Sequence, residues 1–291
     1  MSNISQFIIS GITTGSIYAL IAIGFSVVYN ATQIVNIMQC EFITYGGMLT
    51  VTFYIFSKFP YFIAIPLSII IVSIMAGLFE RFVIRNSKSK DIIILIFITI
   101  GASIFFKGLA LLIWGSDSYM LPSFSGDKVI KIFNAVIVPQ YLWIIGISFF
   151  TVILLHLFFQ KTLTGKAMRA VSCNIKASKI VGININKVVF LSFVIGGFLG
   201  AVAGIIIAPI TTTSYDIGFL LGLKGFAAAI LGGYGNMWGS VLGGILLGLF
   251  ENLAAGLISS EYKDVIAFVI LILVIYIKPS GIIGQTKIER V

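Results

Sequence analysis

The chain has 291 residues, of which 59% are hydrophobic and 10% charged, with a mean hydropathy of +1.11. Soluble domains carry about 25% charged residues, and a chain of this length cannot bury so much apolar surface in one core, so a soluble protein is excluded. Lys and Arg number 19 against 10 Asp and Glu, a formal net charge of +9, but the basic residues gather in short loops between apolar runs. The charge therefore indicates membrane topology and excludes nucleic acid as the expected partner.

Eight apolar segments approach the roughly 20 residues that a helix needs to cross a bilayer. Their continuous apolar character favours helices over a transmembrane barrel, which would show short stretches of apolar–polar alternation. We therefore predict an all-α, polytopic transmembrane helical bundle in one membrane domain, residues 1–291. The segments are Phe7–Tyr29, Glu41–Ser57, Phe59–Phe79, Ile92–Trp114, Tyr141–Phe159, Val188–Pro209, Phe226–Ile258 and Val265–Ile277.

The seventh segment is too long for one straight crossing. Its stretch Leu231–Asn236 reads Leu-Gly-Gly-Tyr-Gly-Asn, and clustered glycines disfavour a continuous helix. At membrane depth such a break is tolerated only where it is buried in protein or lines a watery cavity. We predict that this run is re-entrant or forms two short crossings, which returns the basic C-terminal tail to the cytoplasm.

The loops differ in charge, and this difference predicts the topology. Basic residues concentrate in Glu80–Asp91 and in Gln160–Lys187, and the second of these loops has no acidic residue. Gly115–Gln140 is a long polar stretch of mixed charge. By the positive-inside rule, we expect the two basic loops in the cytoplasm and Gly115–Gln140 outside.

Glycines recur at four-residue spacing in two segments. Such a stripe of small residues lets helices approach closely in lipid, either within this chain or at a subunit interface. The two sets are Gly196, Gly200 and Gly204, and Gly235, Gly239 and Gly243.

Polar side chains at membrane depth are costly and usually face a pathway or a partner. Asn36, Gln39 and Glu41 form a polar break between the first two segments, and Glu251 follows the glycine break. These four residues are candidates for the translocation pathway, or for satisfying a local backbone end. Lys107 is expected to reach the outer interface, and Asp216 and Lys224 are expected to be interfacial.

The sequence shows no catalytic constellation. His156 is a lone histidine, and Cys40 and Cys173 have neither disulfide nor metal-ligand spacing. HExxH, GxSxG, CxxC and the phosphate-binding GxxxxGK[ST] are all absent from the sequence. We therefore expect no catalytic residue, no metal site and no cofactor held by this chain.

The loop Gln160–Lys187 has the spacing of two short helices with a basic face. Thr164 is a candidate cap for the first helix, and Gly182 a candidate end for the second. Such a loop suits docking onto a cytosolic protein, with anionic lipid headgroups as the alternative.

At this loop the sequence resembles the permease subunits of branched-chain amino-acid ABC importers, of the LivH type. The resemblance rests on Gly165–Ala170 with Ala177 and Gly182–Asn184, and it extends over nearly the whole chain. Gln39 and Cys40 stand where that family usually has His and Gly, and Asn174 lies near a usual acidic position. Further matching stretches are Gly15–Gly24, Asn36–Glu41, Gly225–Gly233, Gly239–Gly244, Tyr262–Asp264 and Lys278–Gly284.

The resemblance implies a multi-pass permease of the bacterial inner membrane that imports branched-chain or related hydrophobic amino acids. It implies coupling to separate ATPase subunits through Gly165, Arg169, Ala177 and Gly182. The implied partners are a second, related permease, two cytoplasmic ATPase subunits that bind ATP and Mg²⁺, and an extracytoplasmic binding protein. The alternative is an ion-coupled secondary transporter of small amphipathic solutes, which would need a cluster of ionisable residues at midplane breaks.

Overall fold

The computed structural model describes residues 2–89, 91–126, 129–132, 135–257, 259–278 and 280–284. Within them the chain is a bundle of α-helices, because the long apolar runs satisfy their backbone polar groups internally. The predicted all-α bundle is confirmed. The helices are α1 Ser2–Thr32, α2 Gln39–Val51, α3 Tyr61–Phe79, α4 Ile92–Trp114, α5 Pro139–Lys161, α6 Leu163–Cys173, α7 Ile175–Ile180, α8 Ile185–Ile207, α9 Ile217–Gly232, α10 Met237–Leu257 and α11 Lys263–Ile277.

Shorter elements complete the structure. The π-helical turns Thr52–Phe56 and Glu80–Ile84 extend α2 and α3, and a 3₁₀ turn, Ser260–Tyr262, precedes α11. The stretch predicted to be external contains a small antiparallel hairpin of β1 Ile130–Ile132 and β2 Ala135–Ile137. This hairpin is an addition to the predicted architecture.

Six of the described helices are long and apolar enough to cross a membrane: α1, α3, α4, α5, α8 and α10, while α9 is a shorter apolar helix. The predicted break in the seventh segment is confirmed, since α9 ends at Gly232 and α10 begins at Met237. Gly233 and Gly235 between them have φ values of 110° and 89°, a region that favours glycine. The predicted end of that segment, Ile258, lies outside the described residues, as do Lys287 and Arg290 of the basic tail.

Two ends of the bundle are distinguished by their contacts. At the end we call the basic end, the Arg85 side chain donates to the Asn186 carbonyl at 3.1 Å, which joins the two basic loops. At the opposite end, the hairpin end, the Val136 amide donates to Gln6 Oε1 at 2.8 Å. The segment before Gly284 returns to the α9–α10 break, where the Ile282 amide donates to the Leu231 carbonyl at 2.9 Å. The loops predicted to be cytoplasmic and external thus lie at opposite ends.

The helices α1 and α8 form the centre of the bundle, with 67% and 72% of their most apolar windows buried, against 11% for α4. Glycines bring these central helices close to their neighbours. A Cβ on Gly204 of α8 would collide with the Ile43 carbonyl of α2, and one on Gly244 of α10 would collide with the Ala19 backbone of α1. The glycine stripes therefore serve packing within the chain.

The topology can be tested with the two cysteines of the chain. Cys173 is exposed at the basic end, whereas Cys40 is fully buried. An impermeant maleimide should therefore label Cys173 in inverted membrane vesicles and fail to label it in intact spheroplasts, with Cys173→Ser as the blank. Labelling of Cys173 from outside intact cells would reverse the predicted orientation.

Candidate functional site

The junction between α1 and α2 carries polar side chains into the interior of the bundle. α1 ends at Thr32 and α2 begins at Gln39, and the turn between them passes through a positive φ of 60° at Gln33. Asn36, Gln39 and Glu41 are all fully buried. The polar break expected from the sequence is thus present, and its side chains point away from lipid.

Gln39 and Glu41 occupy different sides of α2. The Gln39 side chain donates from Nε2 to the Gly196 carbonyl of α8 at 2.8 Å, whereas Glu41 Oε1 accepts from the Ser103 hydroxyl of α4 at 2.8 Å. Two positions apart on a helix are about 200° apart around its axis. The structure therefore does not gather these candidates around one point.

Several polar atoms at this junction have no hydrogen-bond partner among the described residues. They are both amide atoms of Asn36, Oε1 of Gln39 and Oε2 of Glu41. A buried polar atom without a partner costs about 1–3 kcal/mol, so these positions have spare capacity for water or a solute. The assignment of these residues to the translocation pathway stays a prediction.

Lys107 lies one turn beyond Ser103 on α4, close to the same region. Its Nζ is 5.7 Å from the ring centroids of both Tyr215 and Phe219, a distance at which a cation is attracted by an aromatic face. Asp216, next to Tyr215, is exposed and accepts from the Ser214 hydroxyl at 2.8 Å.

Replacing Glu41 by Gln should lower uptake several-fold while the amount of assembled complex stays unchanged. The amide can still accept from Ser103, but an amide nitrogen replaces the second, unpartnered carboxyl oxygen. Uptake into vesicles and the yield of purified complex are the two measurements, and Ser103→Ala, which removes only the hydrogen bond, is the control. Wild-type uptake by Glu41→Gln would show that this carboxylate has no role in transport.

Glu251 belongs to a different cluster, near the hairpin end. Its Oε1 is 2.6 Å from Lys224 Nζ and 3.6 Å from Lys263 Nζ, and Lys224 Nζ is also 2.5 Å from Asp264. The side chains of Lys224 and Glu251 are 6% and 0% exposed. Glu251 thus braces α9, α10 and α11 against one another.

The expected interfacial position of Lys224 is wrong. The sequence places this lysine in the connection before the seventh segment, but α9 begins at Ile217 and carries Lys224 into the interior. The burial is possible because the two carboxylates neutralise the charge. Its partners come from helices further along the chain, so no local pattern marks them.

The basic loop folds as α6 and α7, as its spacing predicts. Thr162, not the expected Thr164, caps α6: its hydroxyl accepts from the Gly165 amide at 2.9 Å. Asn174 caps α7 by accepting from the Ala177 amide at 2.9 Å. Gly182 follows α7 with a φ of 88°, which agrees with the expected glycine at the helix end.

The four proposed coupling residues have different surroundings. Ala177 and Gly182 are exposed, and the space around Gly182 is open. Gly165 is buried against the end of α5, so closely that a Cβ at this position would collide with the Phe158 carbonyl. Arg169 is exposed on α6, facing a cavity. Gly165 therefore positions α6 against α5 and does not itself lie on a docking surface.

The surface of α6 and α7 exposes large apolar side chains. Leu163, Ile180 and Val181 are 84%, 86% and 80% exposed. They belong to the same loop as its basic residues, and we use the name apolar patch for the three side chains of Leu163, Ile180 and Val181. Exposed apolar groups ringed by polar residues are typical of protein interaction sites.

A cavity of about 650 Å³ opens beside this loop at the basic end. It lies between the C-terminal ends of α1 and α5, one side of α6, and the α9–α10 break. Arg169 and Cys173 of α6 and Tyr234 and Asn236 of the break are among its lining residues. The cavity thus lies between the basic loop and the α9–α10 break, which are far apart in the sequence.

Comparison with known proteins identifies the family. Residues 7–275 match the family model described as "Branched-chain amino acid transport system / permease component". The chain is 35% identical over 302 residues to the high-affinity branched-chain amino acid transport system permease protein LivH of Salmonella typhimurium, covering 98% of this chain and 97% of that protein. It is 34% identical to LivH of Escherichia coli K12 and 33% identical to BraD of Pseudomonas aeruginosa, with the same coverage.

These relatives are components of transport systems, which disfavours both an enzyme and an ion-coupled secondary transporter. A permease component works together with other components, so the chain is one part of a larger assembly. The match covers the helical bundle from α1 to α11. The chain therefore belongs to the family of permease components of branched-chain amino acid transport systems, which are multi-pass membrane proteins.

Proposed function

We propose that this chain is the permease subunit of an ATP-driven importer of branched-chain or related hydrophobic amino acids. The observation that carries the proposal is the similarity to branched-chain amino acid permeases over nearly the full length of both chains. The assembly would contain a second, related permease, two cytoplasmic ATPase subunits that bind ATP and Mg²⁺, and an extracytoplasmic binding protein. This chain would bind no cofactor of its own.

The apolar patch supports docking of an ATPase subunit on α6 and α7. Leu163, Ile180 and Val181 are each at least 80% exposed, and covering exposed apolar surface with a partner is favourable by about 25 cal/mol per Å². Lipid headgroups would satisfy the basic residues but not the apolar patch. A protein partner accounts for both features.

The structure also suggests how movement at the patch would reach the bundle. α6 is fixed to the end of α5 by the buried Gly165 and faces the α9–α10 break across the cavity. Displacement of α6 by ATPase subunits closing on ATP would therefore be transmitted to α5 and to the break. Alternating access to the two sides of the membrane would follow from this tilting.

Reconstitution tests the proposal. The permease pair should take up radiolabelled leucine into vesicles only when ATPase subunits, ATP and the binding protein are all present. Uptake that persists without the ATPase subunits and depends on a proton or sodium gradient would contradict the proposal and favour a secondary transporter.

Replacing Gly182 by Val should reduce co-purification of the ATPase subunits several-fold without preventing membrane insertion. A β-branched residue is strained at a φ of 88° by about 1–2 kcal/mol, so the end of α7 and the neighbouring Val181 would shift. Gly126→Val is a matched control, because Gly126 has a φ of 80° and open surroundings but lies at the hairpin end. Equal co-purification of both variants with wild type would show that α7 is not a docking element.

A further inference from the structure

The stretch that follows α11 lies against the α9–α10 break. Lys278–Gly284 is one of the stretches that match the family, and the proposed function gives it no role. Directly after α11 the chain turns, since the Gly281 amide donates to the Lys278 carbonyl at 2.8 Å. We call the described residues 280–284 beyond this point the clasp.

The clasp supplies hydrogen-bond donors to the end of α9. The last carbonyl groups of a helix have no partner within the helix itself. Here the Ile282 amide donates to the Leu231 carbonyl at 2.9 Å, and the Ile283 amide donates to the Gly232 carbonyl at 3.0 Å. Because α9 ends at Gly232, the clasp satisfies carbonyl groups that would otherwise need water or a capping side chain.

Asn236 joins the clasp to the start of α10. Its Nδ2 donates to the Ile283 carbonyl at 3.3 Å. Its Oδ1 accepts from the Gly239 amide at 3.1 Å, as a capping residue does at the start of a helix. One side chain therefore holds the clasp with one atom and the first turn of α10 with another.

Glycines let the backbone of the clasp touch the backbone of the break. A Cβ on Gly281 would collide with the Gly233 backbone, and one on Gly233 would lie 2.6 Å from the Gly284 amide nitrogen. Gly281 and Gly233 have φ values of 76° and 110°, which favour glycine. The clasp and the break are thus in direct contact.

α1 holds the break through other residues. The Asn30 side chain donates from Nδ2 to the Gly235 carbonyl at 2.7 Å, and the Gly235 amide donates to the Ser26 hydroxyl at 3.3 Å. The Ser26 hydroxyl also lies 2.8 Å from the Ser240 hydroxyl of α10. The break is therefore bound to both α1 and the clasp, which a free hinge would not be.

We propose that the clasp is a positioning element: it keeps the α9–α10 break in one conformation, so that the break, the end of α11 and α1 move as one body. This inference rests on the proposed function, in which displacement of α6 reaches the break. With the clasp in place, the displacement would be passed on to α9 and α10. Without it, the break would deform locally, and ATP hydrolysis would continue with less uptake.

Amide hydrogen exchange of the purified permease complex tests the clasp without any transport. Ile282→Pro removes the amide that donates to Leu231, whereas the control Ile282→Ala keeps this amide and shortens a side chain that is 41% exposed. Ile282→Pro should speed exchange at Gly233 and Asn236 at least several-fold, although both amides donate within residues 229–236 and not to the clasp. Ile282→Ala should exchange like wild type.

Asn236→Asp is a milder change that tests coupling. The carboxylate can still accept from the Gly239 amide, and a negative charge suits the start of α10, but it has no donor for the Ile283 carbonyl. In reconstituted vesicles, this variant should take up several-fold less leucine per ATP hydrolysed, with wild-type melting temperature and co-purification of the ATPase subunits. A merely structural role of Asn236 would lower the melting temperature and leave this ratio unchanged.

Two results would overturn the inference: wild-type exchange in Ile282→Pro, or a wild-type ratio of uptake to ATP hydrolysis in Asn236→Asp. If Ile282→Pro does not fold, exchange in Asn236→Asp decides in its place, with the same acceleration expected. Wild-type vesicles that take up no leucine with ATP would refute the proposed function, and the exchange measurements would then decide on the clasp alone.

Discussion

Replacing Lys224 by Met should destabilise the permease by up to about 3–5 kcal/mol, because it removes the closest partner of a buried charge and leaves Glu251 only the longer contact to Lys263 Nζ at 3.6 Å. Glu251 is completely buried, and its closest cationic contact is Lys224 Nζ at 2.6 Å. The variant should therefore show a markedly lower melting temperature in detergent and a lower yield of monodisperse protein. A melting temperature equal to that of wild type would mean that the ion pair does not hold α9 and α10 together.

Two further variants separate the contribution of the Lys224–Glu251 ion pair to stability from that of neighbouring residues. Asp264→Asn should have a smaller effect than Lys224→Met, since Glu251 still neutralises Lys224 and solvent screens the charge of the Asp264 side chain, which is 51% exposed. The double variant Lys224→Met with Glu251→Leu should regain most of the stability, because replacing both members of a buried pair by apolar groups is often neutral. Failure of the double variant to recover would assign the loss to packing instead of charge.

Replacing Gly244 by Val should abolish uptake and prevent stable folding. A Cβ at this position would lie 2.6 Å from the Ala19 Cα and 2.8 Å from its Cβ, so α1 and α10 would have to separate along their length. Overpacking of a close interface costs about 1–3 kcal/mol or more, and here the obstacle is backbone. Protein yield, melting temperature and uptake are the measurements.

Gly101→Val is the matched control for this experiment. Gly101 also lies within a membrane helix, α4, but nothing lies within 4 Å of a Cβ placed there. Valine has a higher helix propensity than glycine, so this variant should be at least as stable as wild type. If both variants behave alike, close helix packing is not the reason for the glycine at Gly244.

The sequence predicted those features whose causes are local. The break at Leu231–Asn236 followed from clustered glycines, and the end of α7 at Gly182 followed from one glycine after a helical pattern. The cap of α6 was misplaced by two residues, because Thr162 and Thr164 are equivalent candidates until the exact end of α5 at Lys161 is known.

Features that depend on distant residues were not predicted. The buried Lys224 pairs with Glu251 and Asp264, which come from two later helices. The cavity requires α1, α5, α6 and the α9–α10 break to meet, and no sequence pattern states which helices are neighbours. The sequence left the start of α2 open, so it did not predict that the side chains of Gln39 and Glu41 would point to different sides of that helix.

The ion pairs of Lys224 also bear on how the chain enters the bilayer during synthesis. An isolated lysine or acidic residue within an inserting helix is disfavoured, by about 2.5–3.5 kcal/mol at the helix centre, and α9 and α10 carry Lys224 and Glu251, respectively. α9 is only 16 residues long, so it has little apolar surface to offset its charge. α9 and α10 would therefore leave the insertion machinery together, with Lys224 and Glu251 already paired. A ribosome stalled between α9 and α10 would leave α9 outside the lipid.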